Sequence, residues 1–287
     1  MRLFLIVAFG LSWLVALPLW LGDGLASPAM PLIGLAMMYT PTLGVLAVWL
    51  RERTPARRWA RETGLTLGER RGRTIGLIAA GWFGPSLIGL AAVALSVAVG
   101  VLKVDLGGFS LFRAMLGSAP VDPAVLAVSQ TVSAALIVPL INSLAAFGEE
   151  WGWRGWLLPR LVASRGVLGG LLLSGVIWGL WHAPLTLLGY NYPSLGPWAA
   201  LYFVGFCVLS GILLGWLRLK SGSVWPAVIG HGAINAVGPL ILVYGDASAP
   251  PNLTLAGLTG LAGWALLAAL SVLVLKLWPV RQAQPVS

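Results

Sequence analysis

The chain has 287 residues, 58% of them hydrophobic and only 9% charged, with a formal net charge of +9. A soluble domain carries about a quarter charged residues, so this composition excludes an ordinary soluble globular protein and implies one all-α, polytopic membrane domain over 1–287. The basic residues gather between apolar runs, with no aromatic interleaving and no nucleic-acid motif. That excludes nucleic acid as a partner and points to membrane topology and anionic lipid headgroups.

Eight apolar runs of about 20 residues are each long enough to cross a bilayer as a helix. In chain order they are 3–21, 31–50, 75–102, 124–148, 167–188, 198–217, 224–244 and 255–277. Together they predict about eight transmembrane helices in one bundle. The first run follows a single arginine and is long for a signal-peptide core, so it reads as a retained helix.

Between the second and third runs, residues 51–73 hold eight arginines against three glutamates. The positive-inside rule places this basic loop, 51–74, in the cytoplasm as a solvated connection. Alternation from there puts 16 of the 18 Lys and Arg on the cytoplasmic side, Arg154 and Arg281 among them. Lys103, Arg113 and all four aspartates fall outside, and both termini are cytoplasmic. Trp151, Trp153 and Trp156 read as interfacial anchors. Cys207, the single cysteine, reads as a small packing residue. Gly211 and Gly215 form a G-x-x-x-G that allows close helix approach.

Three polar patterns interrupt the later runs. Glu149 and Glu150 stand side by side, and Arg154 follows one helical turn after Glu150, so those two can pair on one face. Glu149 is rotated about 100° away and is left free. Trp178 and His182 stand one turn apart, an aromatic beside an imidazole, with Pro184 ending the helix close by. His231 and Asn235 share a helical face, and Gly230 and Gly232 would let a substrate backbone approach. Ionisable groups at membrane depth are costly. The shared use of both histidines in the chain points to one functional site.

In this order across consecutive membrane helices, Glu149-Glu150-x-x-x-Arg154, Trp178-x-x-x-His182 and His231-x-x-x-Asn235 resemble the CPBP family of intramembrane proteases. That family includes the type II CAAX prenyl endopeptidases and bacteriocin-processing or self-immunity relatives. The resemblance covers about 124–244, the motif-bearing core. It implies a helical enzyme that hydrolyses a peptide bond in a membrane-associated protein or peptide, lipidated ones included. It further implies a bacterial-type plasma membrane location, with a cavity open to the cytoplasm. Carried over by position, Glu149 is the catalytic glutamate, Glu150 and Arg154 support it, and His182, His231 and Asn235 complete the site. Trp178 stands where the family often has phenylalanine.

Amide hydrolysis needs an activated water and a stabilised oxyanion. Glu149 with His182 suits the first need, and Asn235 with His231 suits the second. No cofactor is favoured. The alternative is one zinc ion held by Glu149, His182 and His231. Helix counting from Asp122 sets the three heights apart. Glu149 comes out roughly 40 Å along, at the cytoplasmic edge, while His182 is roughly 22 Å deep and His231 roughly 12 Å. Two other functions use the same residue types: a proton-coupled transporter, in which Glu, His and Arg form a relay, and a non-catalytic peptide-binding immunity protein.

Overall fold

A computed structural model describes residues 1–117 and 121–280. Arg281, expected on the cytoplasmic side, lies outside the described residues. The architecture is helical, and the described residues add two isolated β-bridges, Val104 with Gly245 and Asp246 with Ala249. The helices are α1 (Arg2–Leu21), α2 (Met30–Met38), α3 (Thr40–Glu52), α4 (Ala56–Glu62), α5 (Arg71–Ala98), α6 (Ser110–Leu116), α7 (Pro123–Leu136) and α8 (Val138–Glu150). A π-helical segment (Trp151–Leu157) leads into α9 (Leu158–Trp181), followed by α10 (Ala183–Thr186), α11 (Trp198–Ser221), α12 (Trp225–Val237), α13 (Leu240–Tyr244) and α14 (Leu261–Leu277). Among the described residues six helical stretches are long and apolar enough to cross a membrane, and Pro123–Leu136 and Leu261–Leu277 are shorter apolar helices. The chain is therefore a multi-pass membrane protein.

The run 124–148, expected as one span, is broken. Ile137, with φ drawn out to −114°, forms a turn between the two helices, and Pro139 two residues on has no N–H to give the carbonyl of Ala135. The indole of Trp82 donates to that carbonyl instead, at 3.0 Å. Beyond Glu150 the helix does not stop in a loop. It widens into the π-segment and runs on until Gly166, whose φ of 72° and ψ of 173° turn the chain. Glycine takes that conformation without a Cβ penalty. The crossing that carries the glutamates is thus displaced towards later residues than expected.

Arg154 and two of the tryptophans were expected at the interface, and the fold buries them. Trp153, Trp156 and Arg154 are each 1% exposed or less. Trp156 stacks on Phe4 at 4.7 Å and Trp153 meets the same ring edge-on, so α1 belongs to the core. Trp151 stacks on Phe147. The G-x-x-x-G of α11 does mark a close approach: Gly211 and Gly215 face Gly175, Leu171 and Leu158 of α9. Cys207 is buried among the core residues.

The connections gather at two ends of the bundle. At one end the basic segment is a strap rather than a free loop. Its α4 buries Trp59, the Gly64 carbonyl accepts from Val224 N at 2.8 Å, and the Leu65 carbonyl accepts from the Trp225 indole at 3.0 Å. Arg218 donates to the Glu62 carbonyl at 3.2 Å. The opposite end joins 101–117 to 244–250 and 187–197 to 254–260. There Asp246 N donates to Lys103 O, and the Tyr192 hydroxyl donates to Thr259 O. Asp105 closes its own turn by accepting from the backbone N–H groups of Gly108, Gly107 and Ser110, and the Gly108 bond leads in holding its carboxyl below the usual range.

Candidate active site

The turn at Gly166 removes the mismatch in heights. Glu149 lies 17 residues before it and His182 16 residues after it. At 1.5 Å per residue both stand about 25 Å from the turn, so the hairpin brings them level. Glu149 Oε2 is 3.9 Å from His182 Nε2. The π-segment follows directly after the glutamates, and such widenings of a helix recur at functional sites. Where the helix widens, the Thr42 hydroxyl of α3 donates to the Gly148 carbonyl at 2.8 Å.

The two glutamates face different partners, as adjacent helical positions must. Glu150 is fully buried, and its Oε1 accepts from Arg154 Nη1 at 2.7 Å and from His231 Nδ1 at 2.9 Å. Arg154 also lies over the Trp178 ring, with Cζ 4.0 Å from its centroid, a cation–π contact. A Cβ built on Gly211 would stand 3.1 Å from Arg154 Nη2, so glycine there leaves room for the guanidinium.

Glu149 is 2% exposed and accepts from the Trp178 indole N–H at 2.7 Å. The aromatic expected only as a buttress therefore also holds the free carboxylate. Spacing could not give this bond, because it depends on which way the ring is turned. Trp178 meets both imidazoles edge-on, at 5.7 Å for His182 and 5.3 Å for His231. His182 Nδ1 lies 2.8 Å from the Trp178 carbonyl. A carbonyl only accepts, so Nδ1 carries the proton, and in the neutral ring Nε2 turns a lone pair towards Glu149.

Glu149, Trp178, His182, His231 and Asn235 line one cavity of about 550 Å³. Glu150 and Arg154 stand behind its wall. Asn235 is exposed to the cavity, and its carboxamide makes no hydrogen bond among the described residues. Asn142 also lines the cavity, and its amide donates to the Gly232 carbonyl at 3.2 Å. It sits two turns before Glu149 on the same face, a spacing that could have flagged it. The cavity extends past the core expected at 124–244, since α2 supplies Met30, Met37 and Met38, and Leu253 and Thr259 close the far side.

The glycines beside His231 serve packing, contrary to the expectation that a substrate backbone approaches there. A Cβ on Gly232 would lie 2.5 Å from the Pro139 carbonyl, and one on Gly230 would lie 3.0 Å from Leu214. They bring α12 against α8 and α11, which sets His231 on Glu150. His231 engages Glu150 through Nδ1, which leaves its Nε2 free of that bond, and among the described residues no three His, Cys, Asp or Glu groups stand together as a metal site.

Residues 131–237 match the Rce1-like type II CAAX prenyl endopeptidases. The chain is also 32% identical over 108 residues to a protein described as CAAX prenyl protease 2 from Methanococcus maripaludis. That alignment takes in 36% of this chain and 40% of the relative, so the similarity spans less than half of either protein.

Proposed function

The chain belongs to the Rce1-like type II CAAX prenyl endopeptidase family through residues 131–237, and on that premise we propose that it is an intramembrane endopeptidase whose water is activated by Glu149. The observation that carries the reading is the pairing of Glu149 Oε2 with His182 Nε2, 3.9 Å apart, on the wall of a largely apolar cavity. The catalytic core is about 124–244, with α2 and the 253–259 segment supplying outer walls. Substrates are membrane-associated peptides or proteins, lipidated ones included, and anionic headgroups meet the basic strap.

A water set off the line between Glu149 and His182 can donate one hydrogen to each. Its lone pair then points away from both, towards a substrate carbonyl carbon. On attack the C–O bond forms and the water proton passes to Glu149. The carbonyl oxygen gains the negative charge and takes a hydrogen bond from the Asn235 amide. His231 adds a second donor at Nε2 when its ring is cationic, with Nδ1 held on the Glu150 carboxylate. Collapse of the intermediate breaks the C–N bond, and the proton held by Glu149 goes to the leaving amine. Glu150 and Arg154 hold His231 and Trp178, and Trp178 holds Glu149. No step requires a metal. Chelation followed by metal analysis of the purified protein tests this, since activity lost on chelation and restored by zinc would contradict it.

Asn235→Ala is the direct test of the oxyanion donor. Cleavage of an apolar peptide by the purified protein, followed by mass spectrometry, is expected to fall about 10²–10³-fold in kcat with little change in KM. An equal loss in KM with kcat unchanged would make Asn235 a simple binding residue. Failure of the parent protein to cleave any such peptide would count against the peptidase reading itself.

A further inference from the structure

We infer that Thr40 and Thr42, at the start of α3, are positioning residues for the Glu149–His182 pair. One hydroxyl holds the backbone beside Glu149, and the other holds the indole beside His182. The inference rests on the peptidase reading of the same site. It places part of the active-site framework well ahead of residues 131–237, which carry the family match.

Two helices present the pair. Glu149 lies at the end of α8, and His182 directly follows α9. At 3.9 Å their side chains are beyond direct hydrogen-bond reach, so their separation is set by whatever ties the two helices together. Trp178 is one such tie, since its indole donates to Glu149.

The junction of α2 and α3 supplies a second. The Thr42 hydroxyl donates to the Gly148 carbonyl at 2.8 Å, one residue before Glu149. The Thr40 hydroxyl accepts from the Trp181 indole at 3.2 Å, one residue before His182. Both threonines are buried. Within a single turn, α3 therefore grips the neighbour of each member of the pair.

The local backbone shows what each hydroxyl does. The Trp151 amide still bonds four residues back, to the Phe147 carbonyl, whereas the Leu158 amide bonds five residues back, to Trp153. Gly148 stands just before this change, where the helical ladder is disturbed and a side-chain donor can serve a carbonyl. Trp181 meets Trp153 and the His182 ring edge-on, and Thr40 is the acceptor for its indole N–H. Two glycines let the junction come this close. A Cβ on Gly148 would lie 2.7 Å from the Met38 carbonyl, and one on Gly152 would strike Pro41. A buried polar group left without its partner costs more than the bond itself contributes. A misplacement of about 1 Å at the reacting groups can cost about a hundredfold in rate.

Side-chain exchange at the two threonines tests the inference. Thr40→Val and Thr42→Val keep the buried shape and remove the hydroxyl, while Thr40→Ser and Thr42→Ser keep the hydroxyl. Tyr39→Phe is the control: its hydroxyl ties the same junction to the Leu144 carbonyl of α8, at 2.6 Å, more than a turn before Glu149. Cleavage of an apolar peptide is measured beside thermal unfolding and amide hydrogen exchange over 145–158 and 178–186. Each valine variant is expected to lose about 10- to 100-fold in kcat with KM nearly unchanged, and to exchange faster in the stretch its hydroxyl held. The serine variants and Tyr39→Phe should stay close to the parent in both readings. A valine variant with the parent kcat would overturn the inference, and so would an equal loss in the serine variants or in Tyr39→Phe. If a valine variant does not fold, Thr40→Cys and Thr42→Cys take its place, because a thiol of serine's size is a weak donor and acceptor. Cysteine should then fall well below serine in kcat, and equal rates would overturn the inference. Exchange does not depend on cleavage. Faster exchange at the expected stretches in a protein that cleaves no peptide would strike the peptidase reading, whereas undiminished cleavage in the valine variants would strike only the role of the threonines.

Discussion

Replacing Glu149 with glutamine is expected to lower peptide cleavage by about 10³- to 10⁴-fold while leaving the protein folded. The amide keeps the shape of the carboxylate, and its oxygen can still accept from the Trp178 indole, now 2.7 Å from Glu149 Oε2. The lost function is proton acceptance from the water that His182 also holds. Cleavage and thermal unfolding are measured on the same detergent-solubilised preparation. A variant that unfolds at the parent temperature and still cleaves within tenfold of the parent rate would remove Glu149 from the chemistry.

Arg154→Met is expected to destabilise the protein by about 3–5 kcal/mol, the usual consequence of removing one partner from a buried pair. Arg154 and Glu150 are 1% and 0% exposed at their side chains and 2.7 Å apart. Without Arg154 the Glu150 carboxylate keeps only His231, and the Trp178 ring loses the guanidinium above it. The double variant Glu150→Gln with Arg154→Met should recover part of the loss, because no lone buried charge remains and the glutamine oxygen still accepts from His231 Nδ1. Arg58→Ala is the control: that arginine makes an equally short pair with Glu62, at 2.6 Å, in solvent, where such pairs contribute little. Denaturant unfolding of the four proteins decides the matter. An Arg154→Met protein as stable as the parent would show that the pair does not anchor the site.

Much of this site was legible in the residues themselves. Glu150 and Arg154 pair because four residues make one turn. His182 and His231 reach one cavity, a meeting that the family resemblance implied and that helix counting had set apart in height. What spacing could not carry is the path of the helix between them. An apolar run looks the same whether or not it is broken, so 124–148 read as one span, although Pro139 held the clue to the break at Ile137. Arg154 read as a residue of the cytoplasmic side because charge usually lies outside the spans, yet it is buried in the bundle and paired with Glu150. Trp153 and Trp156 read as anchors on composition alone, and their burial depends on where Phe4 lands. Gly230 and Gly232 are small for the sake of neighbouring helices, which a single helix cannot reveal.

A single turnover in H₂¹⁸O tests the direct attack of a Glu149-activated water most plainly. Excess purified enzyme is mixed with an apolar peptide, and the product and the enzyme's own peptides are weighed by mass spectrometry. One ¹⁸O atom is expected in the new carboxyl terminus of the product and none in the peptide containing Glu149. Label appearing in Glu149 would mean that its carboxylate attacks the carbonyl and forms an anhydride. Absence of any cleavage product would contradict the peptidase itself.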